Sequence, residues 1–158
     1  MEPDVGYFTK PDGSAPSDLA PLTTSRVTAS LDSHNWHYDI TESGDVGGWW
    51  DGYWFLFSFR GQDKEIFFVH AVWNKIAPPE LYSQLAVDAN EWNVDHLWPM
   101  VSVRQRDDDA LVMADLSVDY SCGLTDEQLD LHIRCAIDTM VSALGWFTQK
   151  YPDLPERG

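Results

Sequence analysis

The sequence predicts an α+β domain: a twisted antiparallel sheet of about five strands with flanking helices, in the order α-β-β-β-α-β-β-α. Three observations carry this. Residues 53–60 and 65–73 alternate large side chains with the two-residue period of a strand, on either side of the turn Gly61-Gln62-Asp63. Leu129, Ile133, Ala136, Ile137, Met140, Leu144, Phe147 and Tyr151 recur at helical spacing as one unbroken stripe. Between these, Asp107-Asp108-Asp109 turns one strand back upon another.

Residues 1–20 hold Pro3, Pro11, Pro16, Gly6 and Gly13 with little apolar period, which predicts a flexible tail. A single domain is expected over 21–152, with 153–158 as a C-terminal tail. Thr23 or Thr24 can cap a first helix whose inner face is Val27 and Leu31, with an exit at His34-Asn35. Trp36, Tyr38 and Ile40 then alternate with polar residues as a half-buried strand, and Glu42-Ser43-Gly44-Asp45 is a turn. A short strand over 46–50 is interrupted by Gly47-Gly48. Strands 53–60 and 65–73 are apolar on both faces, so their sheet should be covered on both sides.

Pro78-Pro79 suits a helix start, and Leu81, Leu85, Ala89 and Trp92 continue at helical spacing to an expected exit at Asn93. Val101 and Val103 open a strand, and 111–120 returns with Val112, Ala114, Leu116 and Val118 on one face. Thr125 with Gln128 three residues on is a capping box, followed by Asp126 and Glu127, which the helix dipole favours in a first turn. Pro152 ends the last helix.

The chain carries 26 acidic against 10 basic residues, a net charge of -16. A polyanion repels phosphate backbones and anionic lipid, so neither nucleic acid nor membrane is expected as a partner. Its two cysteines, Cys122 and Cys135, make no disulfide framework, and no apolar run is long enough to span a bilayer. A cytoplasmic protein is the expectation.

No phosphate loop, dinucleotide fingerprint, nucleophile elbow or zinc-protease motif occurs. Cys135 lies mid-helix beside the apolar stripe, as a small buried hydrophobe would. His132 and Cys135 stand three apart, two donors where a structural zinc takes four. The acids Asp39, Glu42, Asp45 and Asp51 lack the register of a calcium loop. No cofactor, metal or catalytic residue is expected.

The tract Asn90-Glu91-Trp92-Asn93, followed by Trp98-Pro99, resembles the YbjN-like family of small bacterial proteins. So do Asp119-Tyr120, the passage Gly123-Leu124-Thr125-Asp126-Glu127-Gln128-Leu129 and the turn Gly44-Asp45-Val46-Gly47-Gly48-Trp49, together spanning about 23–151. Met100 stands where that family usually carries a basic residue. The resemblance implies a sensory-transduction regulator and a fold like that of type III secretion chaperones, which are acidic homodimers that bind extended segments of other proteins. The expected function is therefore non-enzymatic: a regulator or chaperone-like adaptor acting through protein contacts as a homodimer. Trp54, Trp73, Trp92 and Trp98 are the candidate interface residues, because buried Trp anchors contacts. The alternative is a small-ligand sensor with an aromatic-lined pocket between the sheet and the C-terminal helix.

Overall fold

The computed structural model describes residues 19–158. The expected N-terminal tail lies outside them apart from Leu19 and Ala20. Helix α1 (Thr24–Ser33) is capped by the Thr23 hydroxyl, which accepts from the Arg26 N–H at 3.3 Å, and it buries Val27 and Leu31. It stops at His34, and Asn35 turns the chain at φ 56°, a left-handed value that Asn tolerates. Trp36 and Tyr38, expected in a strand, are drawn onto the core instead. Trp36 stacks on His34 at 4.5 Å and meets Trp50 edge-on. Only β1 (Asp39–Ile40) is left to pair.

Strands β2 (Val46–Trp50), β3 (Tyr53–Arg60) and β4 (Ile66–Val72) form a meander. Asp51 and Gly52, at φ 51° and 81°, make the two-residue hairpin whose twist matches its strands. A 3₁₀ turn (Pro79–Leu81) leads into α2 (Tyr82–Asp95), then β5 (Met100–Gln105), β6 (Ala110–Asp119) and α3 (Asp126–Lys150). Six strands, one more than expected, lie in the order β1-β2-β3-β4-β6-β5 with every pair antiparallel. The expected exit at Asn93 is overrun by two residues, because α2 continues to Asp95.

Register sorts the sheet into two faces. Phe55 faces Ala71, Phe57 faces Val69, and Phe59 faces Phe67; on the next strand Ala114, Leu116 and Val118 continue those rows. That face is the core, and each fully buried Phe on it contributes roughly 1.5–3 kcal/mol. Helix α3 lays Leu129, Ile133, Ala136, Ile137, Met140, Leu144 and Phe147 on it, as the stripe predicts. Its capping box is closed in both directions, Gln128 N–H to Thr125 Oγ1 at 3.1 Å and Thr125 N–H to Gln128 Oε1 at 2.9 Å. The opposite face presents Trp54, Leu56, Phe68, His70 and Val72, all half-buried, and no helix of the described residues covers it.

The segment 153–158 runs back beside the end of β4. The Ile76 N–H donates to the Pro155 carbonyl at 2.8 Å, and the Arg157 N–H to the Asn74 carbonyl at 2.6 Å. No helix among the described residues is long and apolar enough to cross a membrane.

Candidate functional site

The four candidate tryptophans do not meet. Trp73 is 0% exposed: its indole N–H donates to the Thr148 hydroxyl at 2.9 Å, and its ring meets Phe147 edge-on. It continues the inner row of β4, so it anchors α3 to the sheet and offers nothing to a partner. Trp92 is 6% exposed, stacked on His96 at 3.6 Å and tilted against Trp146 of α3. Both are therefore corrected from interface anchors to core residues, since a ring already enclosed has no face left to bury.

Trp54 and Trp98 remain at the surface. Trp54 is half-buried on the open sheet face, edge-on to the exposed Trp49 at 5.4 Å. Its indole lies over Gly47, where a Cβ would come within 2.4 Å of the ring, so any side chain there would have to displace Trp54. Trp98 is 55% exposed, in the connection between α2 and β5.

Around Trp98 the structure adds residues that the tryptophan argument missed. Val87, Val94, Leu97, Trp98 and Met100 are five of the nine large apolar side chains left exposed among the described residues. Val87 and Val94 stand seven apart on α2, two turns along one line, opposite the buried Leu85, Ala89 and Trp92. That spacing is a sequence signal, weak because two valines are few against the buried set.

The inner side of α2 is held by charge. Asp88 is buried and accepts from Lys150 Nζ at 2.9 Å, Gln84 Nε2 at 3.2 Å and the Tyr151 hydroxyl. Burial pushes its carboxyl up, but the hydrogen bonds from Tyr151, Lys150 and Gln84 outweigh it and hold the group below the usual range. Burial and the same carboxylate push the Tyr151 phenol up. Lys150 also reaches Glu91 at 3.0 Å and lies 4.2 Å over the Trp146 ring. Docked in this way to α3, helix α2 keeps its Val87–Val94 line turned outward.

Among the described residues, two imidazole–carboxylate pairs are present that distance in sequence had hidden. His34 Nε2 lies 2.6 Å from Asp130, and His70 Nδ1 lies 2.5 Å from Asp115 on the open sheet face. The Ser30 hydroxyl donates to Asp130 and not to His34, so Ser30 is not placed as a nucleophile on that imidazole. No three His, Cys, Asp or Glu among the described residues are grouped to hold a metal. Between β6 and α3 a groove of about 270 Å³ is lined by Trp98, Leu116, Ser117, Val118, His132 and Cys135. Next to it Tyr120 contacts His132 through its hydroxyl, and burial pushes that phenol up to about 12.

Comparison with known proteins follows the same lines. The family model YbjN, described as "Putative bacterial sensory transduction regulator", matches residues 23–149. The chain is similar in fold to the crystal structure of YbjN from E. coli, described as "a putative transcription regulator". The two share 14% identity at a TM-score of 0.74, over 88% of this chain and 99% of that one. It is also similar in fold to a chain of the HopA1-SchA chaperone-effector complex, with 10% identity, a TM-score of 0.54, and coverage of 82% and 99%. No curated protein matches it.

Proposed function

The chain belongs to the YbjN family, and on that premise we propose that it is a non-enzymatic regulator or chaperone-like adaptor of the bacterial cytoplasm that works through protein contacts as a homodimer. One observation carries the reading: five of nine exposed large apolar side chains fall within residues 87–100. Concentrated apolar surface of this kind is rare on soluble monomers and marks contact sites. A two-fold dimer across α2 buries the patch against its own copy. Trp54 and the open sheet face then remain for a further protein partner. The fold likeness to a chaperone-effector complex supports the same class of function without naming a partner.

The net charge of -16 per chain opposes self-association, so the dimer strengthens as salt screens it. Sedimentation velocity at micromolar concentration, at low and moderate salt, tests this. A dimer favoured at the higher salt is expected, and a monomer in both conditions overturns the homodimer.

A second reading has its own observation. The groove between β6 and α3 lies where a small-ligand sensor needs its pocket, with Trp98 as an aromatic wall and His132 as a polar group. Ligand-dependent protection of Trp98 fluorescence from an added quencher, with the oligomeric state unchanged, favours the sensor over the adaptor.

A further inference from the structure

Strand β6 has ten residues and its outer neighbour β5 has six. Pairing between them runs from Gln105 opposite Ala110 to Met100 opposite Asp115 and stops there. On its other side β4 accompanies β6 as far as Asp119. Among the described residues, no strand continues the place of β5 alongside 116–119.

Four hydrogen bonds show which way the backbone groups of β6 point. The N–H groups of Ala110 and Tyr120 donate to Ala77 and Glu65, and the Val112 carbonyl accepts from Trp73. Even-numbered residues thus face the β4 side. The Asp109 carbonyl accepts from Arg106, so odd-numbered residues face the β5 side. Alternation is strict in an extended strand. The N–H and C=O of Ser117 and Asp119 therefore point into the space beyond the end of β5.

The sheet's other surface here is treated differently. On the outward side of β5, the Asn93 carboxamide takes both backbone groups of Val101. An unpaired strand edge is a template for another strand. Among the described residues, that template is closed at Val101 and open at Ser117. Beside the open stretch lies the groove of about 270 Å³ with Trp98, Leu116 and Val118 in its walls.

We propose that β6 takes, along 116–119, an extended segment of another protein as an added antiparallel strand, with alternate apolar side chains seated in the groove and basic or uncharged flanks. The proposal rests on the reading of the chain as a protein-contact adaptor. Main-chain bonds to Ser117 and Asp119 supply the pairing, and the groove accepts the side chains opposite Leu116 and Val118. Charge selects the occupant. Asp115 and Asp119 border the edge of a chain carrying -16, which favours a basic flank and disfavours a second copy of the same polyanion.

The test uses a capped peptide of alternating lysine and valine titrated into the isotope-labelled full-length protein at low salt. A second peptide of the same sequence, N-methylated at alternate amides, keeps the charge and loses the strand bonds. Ser117→Pro removes the outward N–H and leaves the bonds of Leu116 and Val118 to β4. Trp98→Ala removes a wall of the groove and no backbone group. Expected are amide shifts confined to 116–119 and the Trp98 indole. Affinity should weaken at least about fivefold in either variant, and the methylated peptide should give no localised shift. No shift at these amides up to roughly millimolar peptide overturns the proposal. So does equal binding of the two peptides, or Ser117 shifts that follow protein concentration without peptide, which would place a second copy there. Sedimentation separates the two claims: a dimer with a silent edge sinks only the added strand, and a monomer that binds the peptide sinks only the dimer.

Discussion

The Tyr151 hydroxyl, just past the end of α3, donates to the Asp88 carboxylate in the middle of α2 at 2.5 Å. The bond joins two helices 63 residues apart in the chain and lies behind the outward Val87–Val94 line. It also explains why a buried carboxylate is tolerated: charge-assisted bonds to it outweigh its desolvation.

Tyr151→Phe keeps the ring packed on Trp73 and removes only the hydroxyl. Lys150 and Gln84 remain on Asp88, so the loss should be about 1–2 kcal/mol, near the lower end for a bond to a charged group. Urea denaturation at pH 7 measures it. The Asp88 carboxyl is depressed on folding, so this stabilisation is present above the unfolded carboxylate range and fades as pH falls through the folded value. A difference between variant and native chain that stays constant down to the acid limit would contradict the assignment.

Asn93 offers a second test. Its Oδ1 accepts from the Val101 N–H at 2.8 Å and its Nδ2 donates to the Val101 carbonyl at 2.9 Å. Asn93→Ala uncovers both groups at a strand edge and should cost roughly 1–3 kcal/mol, two ordinary hydrogen bonds. Asn93→Asp should cost more at neutral pH, because a carboxylate would face the carbonyl it now binds. Amide exchange at Val101 should quicken in Asn93→Ala, which removes its acceptor, while exchange at Val112, in the sheet interior, follows global stability alone. Unchanged exchange at Val101 would show that the carboxamide does not guard the edge.

What could be read from the chain divides along a physical line. Helix α3 and the β3–β4 hairpin were legible because their periods are local and long, and the capping box at Thr125 needs only residues three apart. The hairpin at Asp51-Gly52 was also there to be read, hidden inside a run of aromatics. Trp73 and Trp92 were misread because a strand or helix period says that a side chain belongs to a face, not which face the rest of the fold will cover. Register decides that: Trp73, two residues beyond Ala71, falls on the face that Phe55 and Ala71 share. The pairs His34–Asp130 and His70–Asp115 join residues 96 and 45 apart, and no spacing rule reaches them. The open stretch of β6 depends on where β5 stops, a boundary that local sequence defines poorly.

A third prediction concerns acid. Asp109 is buried at the β5–β6 turn and held at about 2 by hydrogen bonds from Arg106, working against burial, with Arg157 as second donor. Arg106 approaches both carboxylate oxygens at 2.5 Å, and Arg157 one of them at 2.6 Å. A carboxyl depressed on folding stabilises the fold above its unfolded pKa near 3.9 and loses that contribution as pH falls toward 2. Both arginines remain partly in solvent, so the worth at neutral pH is on the order of 1–2 kcal/mol. Asp109→Asn should therefore be less stable than the native chain at pH 7, with the two converging between pH 4 and 2. Thermal melts across that range measure it, and parallel pH curves would refute it.

The last prediction separates the α2 surface from the rest of the exterior. Val94 is 76% exposed, so Val94→Glu removes little burial in the single chain and should leave its stability within about 0.5 kcal/mol. In a dimer across α2 the same change places a charge, and its copy, in an apolar contact, where an unpaired ion costs several kcal/mol. Self-association should weaken by well over the tenfold that about 1.4 kcal/mol represents. Leu131→Glu is the matched control, because Leu131 is 54% exposed on α3 and adds the same charge elsewhere. Both variants lower the net charge by one, so a general electrostatic effect would act on them equally and shrink with salt. Sedimentation of the three proteins at matched salt should show dimer for the native chain and Leu131→Glu, and monomer for Val94→Glu. Equal loss in both variants would mean that charge, and not the Val87–Val94 line, governs assembly; retention in both would move the contact off α2 altogether.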